Sequence, residues 1–362
     1  MMLTSAPREV LAAFDFPSQI QSIERYGHGH INDTFCVTCE HARFILQGIS
    51  PAVFPHPEQL MENMAGITAF LRVKIAAAGG DPDRETLTLI PTKAGSNYFT
   101  DSTGKAWRLI PFVEGTTCPQ SATPELFEEA GYSFGRFQRM LEGYPVDSLH
   151  ETIVRFHDTE DRYAKFEAVL TADPMGRAAG VAEEIAFIQA RKADCSVAMQ
   201  ALRDGKLPMR VTHNDTKLNN ILFDAATGKG LCVIDLDTTM PGLSINDFGD
   251  AIRFGASTAA EDEKDLSKVN FDLNLYERFT RGFLAGAQGA LTDAELEYLP
   301  WGAKLMTLEC GMRFLTDYLD GDHYFRIAYP EHNLDRCRTQ FKLVADMEAV
   351  FDQMHAVIAQ YR

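Results

Sequence analysis

His213-Asn214-Asp215-Thr216-Lys217-Leu218-Asn219-Asn220 is followed, after an apolar run, by Ile234-Asp235-Leu236-Asp237. The first stretch spells H-x-D-x-x-x-x-N, and the second closes a strand on an aspartate. Phosphoryl transfer asks for this set: one carboxylate to orient the attacking hydroxyl and take its proton, and oxygen ligands for the Mg²⁺ that bridges nucleotide phosphates. In such a layout Asp215 is the base, and Asn220 and Asp235 bind metal. The flanks agree. Residues 209–212 predict a strand entering the loop, and residues 220–223 an apolar run leaving it. Thr227-Gly228-Lys229-Gly230 supplies turn chemistry, and residues 231–234 a strand that delivers Asp235 to its end. The alternative is an ordinary loop whose Asp and Asn merely form turns; the bracing on both sides favours the chemistry.

Composition narrows the partners. At 362 residues the chain is long enough for about two domains, each with a core. A formal net charge of -17 opposes nucleic acid and anionic membranes, which would be repelled. ATP stays compatible, because glycine loops, metal and a few cations bind phosphate inside an acidic protein. Met1-Met2-Leu3-Thr4-Ser5-Ala6-Pro7-Arg8 lacks a charged-then-apolar leader, and no apolar run reaches the ~18 residues of a membrane span. The seven cysteines are scattered, unlike a disulfide scaffold. The expected location is the cytoplasm. Cys36 and Cys39 form a lone C-x-x-C inside a strand pattern, which points them to opposite faces and away from a shared zinc.

Along the chain, residues 8–14 predict a short helix, and residues 20–27, 33–38 and 44–49 three strands. Leu60, Met64, Ile67, Leu71 and Ile75 recur at helical spacing over 57–78, before Gly79-Gly80-Asp81-Pro82. Residues 87–90 and 105–110 read as two more strands, with 97–100 as an extra one. Pro111-Phe112-Val113-Glu114-Gly115 then breaks the pattern. Beyond it the stripes are helical: Leu126 to Leu141, then residues 181–202, 273–283 and 334–358, their Phe and Met positions read as core. The charge run at 260–265 reads as a solvated connection. The expectation is an α+β, bilobal, protein-kinase-like fold: a β-rich N-lobe over 1–110, a hinge at 111–115, and a helical C-lobe over 116–362 holding the catalytic loop and an acceptor pocket. The nucleotide would lie in the crevice between the lobes.

Tyr26-Gly27-His28-Gly29-His30-Ile31-Asn32-Asp33 falls between the first two strands. Gly27 and Gly29 let backbone N–H groups approach phosphate without a Cβ in the way, and a plain hairpin loop is the alternative. No G-x-x-x-x-G-K-[ST] occurs, which disfavours the P-loop solution. Protein kinases carry a lysine on the third strand, paired to a helix glutamate. Here Gln47 stands at that point, and Glu62 or Glu58 is the candidate helix carboxylate. A neutral Gln47 brings no charge, which motivates one rival reading, a nucleotide-binding regulatory protein without turnover.

With these residues in view, the chain resembles the aminoglycoside phosphotransferase and choline kinase superfamily. Within it the likeness is to the N-acetylhexosamine 1-kinases, over Gly29-His30-Ile31-Asn32-Asp33-Thr34, Phe44-Ile45-Leu46-Gln47, His213 to Asn220, Asp247-Phe248-Gly249-Asp250 and Thr307 to Tyr318. The resemblance implies ATP and Mg²⁺ as cofactors, Asp215 as base, and Asn220 and Asp235 as metal ligands. It implies adenine hydrogen bonds to the backbone of Pro111, Phe112 and Val113, and places His30, Thr238, Arg313 and Tyr324 on the sugar side. Gln47 at the strand position is similar to this group as well. The implied partner is a small-molecule sugar, for a monomer or homodimer. Arg313 lies four residues from both Glu309 and Asp317, so a guanidinium held by carboxylates would aim its remaining donors at sugar oxygens. Its alternative is a plain helix ion pair with Glu309, and for Tyr324 an ordinary half-buried aromatic. Asp317, Asp320 and Asp322 lack the spacing and closing glutamate of a calcium loop. A kinase of a cationic alcohol such as choline or an aminoglycoside is the other rival.

Overall fold

The computed structural model describes residues 6–27, 31–119, 121 and 123–362. The chain folds as two compact units. The first gathers the chain up to Thr117 with Gly143–Val154 and Leu222–Met240, and the second holds Cys118–Glu142, Arg155–Ile221 and Pro241–Arg362.

The first unit opens with α1 (Arg8–Ala12) and a meander, β1 (Ile20–Arg25), β2 (Asp33–Cys39) and β3 (Arg43–Gly48). Helix α2 (Pro57–Ala77) starts with proline in its first turn, where the missing N–H costs nothing, and Gly79 follows it at φ +78°. Then come α3 (Pro82–Glu85), β4 (Phe99–Thr100), β5 (Ala106–Pro111) and β6 (Thr116–Thr117). The sheet order is β1-β2-β3-β5-β4, and every neighbouring pair is antiparallel. The register sets Gln47 opposite Thr34 on one side and Arg108 on the other. Phe35, Val37, Leu46, Trp107 and Leu109 bury one sheet face together with Val10 and Phe14. The strand expected at 87–90 is absent. Asp81 caps α3 through the N–H of Asp83, and Pro91 offers no N–H to a ladder, so only an isolated bridge, Ile90 to Leu109, forms.

The second unit is mainly helical. Along the chain come α4 (Pro124–Met140), α5 (Thr159–Ala172), α6 (Ala182–Ala190), α7 (Val197–Arg203) and β7 (Arg210–Thr212). The strands β8 (Ile221–Asp224) and β9 (Gly230–Val233) belong almost wholly to the first unit, where β8 pairs with β6. After β10 (Met240–Gly242) follow α8 (Ser244–Gly255), α9 (Leu273–Ala287), α10 (Asp293–Asp320), α11 (His332–Ala349) and α12 (Phe351–Tyr361). Phe166, Ile188, Leu308, Met312, Leu315 and Val344 centre one core. Helices α4 and α9 touch backbone to backbone. A Cβ on Gly131 or Gly135 would strike the carbonyls of Phe279 or Phe283, and one on Gly282 or Gly286 those of Glu128 or Tyr132. Both sequences are G-x-x-x-G, which puts the two glycines on one helix face.

Two long stripes are broken. Residues 181–202 split into α6 and α7 because Arg191 turns onto Glu348 (2.9 Å) and Asp194 onto Lys304 (2.8 Å). Residues 334–358 split at Val350, where Phe351 packs edge-on against Trp301, centroids 5.2 Å apart. Hydrophobic period registers neither polar anchor nor ring contact. Among the described residues, no helix is long and apolar enough to cross a membrane.

Candidate functional site

The H-x-D-x-x-x-x-N loop lies in the second unit and is held by its backbone. Asp247, at the start of α8, accepts the N–H of His213 (2.9 Å) and of Asn214 (2.7 Å), and the Gln138 amide donates to it at 3.0 Å. Asp250, one turn on, accepts the Thr216 N–H at 3.0 Å. His213 is buried edge-on between Phe134 and Phe137. Asn214 adopts φ +63°, and a ring nitrogen of His157 lies 3.0 Å from its carbonyl. The i, i+3 spacing of Asp247 and Asp250 on one helix face thus fixes two parts of one loop.

This holds Asp215 in place. Asn220 donates its amide to the Asp215 carbonyl (2.7 Å) and carboxylate (3.0 Å), and Lys217 Nζ lies 2.6 Å from the other carboxylate oxygen. Asp215 and Asn220 are therefore brought together. Burial alone would lower the Lys217 pKa, but Asp215 and Asp250 outweigh it and hold the ammonium above its ordinary value. Burial likewise opposes ionisation of Asp250, yet Arg253, Lys217 and His157 hold its carboxyl below the usual range. Asp247 goes the other way: burial pushes it up more than His213 and the donated N–H groups pull it down. Lys217 was overlooked in the sequence, although it stands two residues from Asp215.

Farther along the same unit, α10 carries Arg313, and the expected carboxylate clamp on it does not form. Glu309 is taken by His157 (3.1 Å) and Thr159 (3.2 Å). Burial would raise Glu309, but His157, Arg162 and Arg313 hold its pKa below normal. Asp317 is taken by three successive N–H groups, of His323, Tyr324 and Phe325, and by the Asn333 amide, all within 2.8–2.9 Å. Arg313 instead donates to the Tyr324 hydroxyl at 3.2 Å, and its guanidinium carbon lies 5.5 Å from the rings of Phe156, Tyr324 and Phe325. Tyr324 is 63% exposed rather than half-buried.

The first unit holds the nucleotide-side candidates. Gly27 has φ +77° with open space around a Cβ position; Gly29 and His30 lie outside the described residues. Gln47 is not alone: its carbonyl oxygen accepts Nε (3.0 Å) and Nη2 (2.8 Å) of Arg108. Arg108 is itself ion-paired to Asp237 at 2.5 Å. Sequence reading missed Arg108, although a lone cation inside Ala106-Trp107-Arg108-Leu109-Ile110 was the available signal. Glu62 lies 2.7 Å from a ring nitrogen of His150 rather than on Gln47. Asp235 follows β9 in the left-handed region at φ +59° and is exposed, and Thr238 sits half-buried in the 3-10 turn Leu236–Thr238 that it starts. At the end of β5, Phe112 donates its N–H to Arg43 (2.9 Å), the Arg43 guanidinium stacks 3.8 Å from its ring, and the Val113 carbonyl accepts the Thr116 hydroxyl at 2.8 Å. Among the described residues, no group of three or more His, Cys, Asp or Glu could hold a metal.

Known structures share this architecture. An aminoglycoside phosphotransferase from Alicyclobacillus acidocaldarius superposes with a TM-score of 0.67 at 14% identity, covering 99% of this chain and 98% of that one. A microcompartment-associated aminopropanol kinase gives 0.60 at 17%, covering 96% and 97%. Choline kinase from Cryptosporidium parvum gives 0.54 at 12%, covering 94% and 92%. At such identities the likeness concerns the fold, which is the expected α+β kinase-like one. Residues 22–283 match the family model described as the phosphotransferase enzyme family, more than half of the chain, and the protein belongs to that family.

Proposed function

We propose that the protein is an ATP- and Mg²⁺-dependent kinase that phosphorylates the anomeric hydroxyl of an N-acetylhexosamine, GlcNAc or GalNAc, to the sugar 1-phosphate. Asp215 orients that hydroxyl and accepts its proton, and Lys217 is placed to neutralise charge beside it. Positioning and charge neutralisation supply most of the rate. Asn220 and Asp235 are the metal ligands. The donor chemistry fits: both are hard oxygen donors, and Mg²⁺ characteristically takes one or two carboxylates plus substrate phosphates, keeping several waters. Gly27, Gly29, Gln47 and Glu62 serve the nucleotide side. For adenine, Pro111 has no N–H and that of Phe112 is donated to Arg43, which leaves Val113 as the amide to test.

The observation that carries the acceptor class is the Arg313–Tyr324 pair. A guanidinium packed among three rings, with a phenol fixed beside it, offers donors to hydroxyl and acetamide oxygens and repels a quaternary ammonium. Thr238 and His30 are the remaining sugar-side candidates. The second reading is a kinase of a cationic alcohol, favoured by the aminopropanol and choline kinases among the similar structures. A panel of N-acetylhexosamines, simple hexoses, choline, aminopropanol and aminoglycosides, followed by ADP release, separates the two. The highest kcat/KM is expected for an N-acetylhexosamine; a cationic alcohol in first place would overturn the sugar assignment.

A further inference from the structure

The third strand carries Gln47 where protein kinases place a lysine, and Arg108 stands opposite it on the neighbouring strand. Arg108 on β5 is 1% exposed and its partner Asp237 is 4% exposed. Two contacts of this pair lead to the nucleotide-side candidates. Arg108 donates twice to Gln47 on β3. Asp237 accepts the Asn32 amide at 2.7 Å, and Asn32 accepts the Ser50 N–H at 3.0 Å. Asn32 is the second described residue after the glycine loop, and Asp237 stands two residues beyond Asp235, inside the turn that Asp235 opens. The candidate helix carboxylates are engaged elsewhere, Glu62 on His150 and Glu58 on His56.

We infer that the buried Arg108–Asp237 ion pair, linked through Asn32 to the exit of the glycine loop, replaces the strand-lysine and helix-glutamate pair and positions the Asp235 turn for the metal–nucleotide complex. Arg108, Asp237 and Asn32 are positioning residues. None needs to touch phosphate; the guanidinium is too buried to do so. The turn requires holding, because Asp235 sits in a backbone region that non-glycine residues seldom occupy. Asn63 and Thr152 also hold carbonyls at this turn, at 3.4 Å each, and Asp237 ties it to the sheet through Arg108 and to Asn32. The inference rests on the proposal that Asp235 binds metal.

The test is calorimetric titration of the full chain with ATP, with and without Mg²⁺, for the wild type and four variants. Removing one partner alone would strand a buried charge, so the pair is replaced together, as Arg108→Met with Asp237→Leu. Asn32→Ala, at a half-buried position, cuts the link with little threat to folding, and Asp235→Ala is the reference. In the double variant and in Asn32→Ala, the Mg²⁺-dependent gain in ATP affinity should shrink at least about tenfold and fivefold respectively, with Mg²⁺-free affinity held within about twofold. Arg108→Lys, which keeps a charge without the fork, should recover part of the gain. The inference is overturned if Asp235→Ala loses the gain while Asn32→Ala, or a folded double variant, retains it in full. If the double variant does not fold, Asn32→Ala decides alone. If Asp235→Ala itself keeps the gain, the metal assignment fails and this inference falls with it.

Discussion

Asp215 has one carboxylate oxygen on the Asn220 amide and the other beside Lys217 Nζ, so its orientation is set before any acceptor arrives. Asp215→Asn keeps the shape and removes the proposed base. Its kcat should fall by a factor on the order of 10²–10⁴, with the dissociation constant for ATP nearly unchanged; a variant with most of its turnover would take Asp215 out of the role. Arg313 carries the second residue-scale prediction. Arg313→Ala should raise KM for the sugar about tenfold or more, near 1.4 kcal/mol, and leave KM for ATP alone. An equal rise in both would make Arg313 a packing residue. Asp215 and Asn220 were legible because five residues of chain bring them together. Arg108 was not, since its meaning comes from Gln47 and Asp237, 61 residues before it on the neighbouring strand and far downstream. The partner of Arg313 was misread for a related reason: four-residue spacing named Glu309 and Asp317, but His157 and the 323–325 backbone had already engaged them.

Helices show the same boundary between what spacing encodes and what contacts decide. The apolar stripes of α2, α4 and α9 are periodic and were readable to within a few residues. The breaks within 181–202 and at Val350 come from Arg191, Asp194 and Phe351 reaching distant partners, which leaves no periodic trace. The glycines of α4 and α9 permit contact between helix backbones, so Gly135→Val should destabilise by about 1–3 kcal/mol or more, read as a lower urea midpoint at unchanged m-value. Loss of under a few tenths would mean that the helices are not in backbone contact. Helix α10 begins with a capping box, Thr292 with Glu295, and Glu295 also accepts from Arg210 and Ser244. Burial would raise this carboxyl, but Arg210, Ser244 and the Thr292 N–H hold it below the ordinary glutamate value. The unfolded chain therefore binds this proton more readily than the folded one. The resulting stability is fully present above the ordinary value, about pH 4.3, and is lost as pH falls below it. Urea midpoints measured between roughly pH 5 and pH 3 should decline less steeply in Glu295→Gln than in the wild type; identical slopes would dismiss Glu295 as a source of acid sensitivity.

At the scale of the molecule, the α+β kinase-like fold was legible from three strands, a helix, the strand at 105–110 and a helical remainder, together with one loop, although the strand expected at 87–90 does not form. The acceptor was not legible to the same depth. In the proposed reading its identity rests on a handful of side chains, among them Arg313 and Tyr324, whose arrangement sequence spacing did not give. The family membership establishes a phosphotransferase. The central claim is that phosphate goes to the anomeric oxygen of an N-acetylhexosamine. Phosphorus NMR of the product formed from ATP and N-acetylglucosamine or N-acetylgalactosamine tests it most directly. The account predicts a single new phosphomonoester whose phosphorus couples to the anomeric proton of the sugar. A phosphomonoester coupled to the exocyclic methylene protons instead, or no sugar phosphate while choline or an aminoglycoside is phosphorylated, would contradict it.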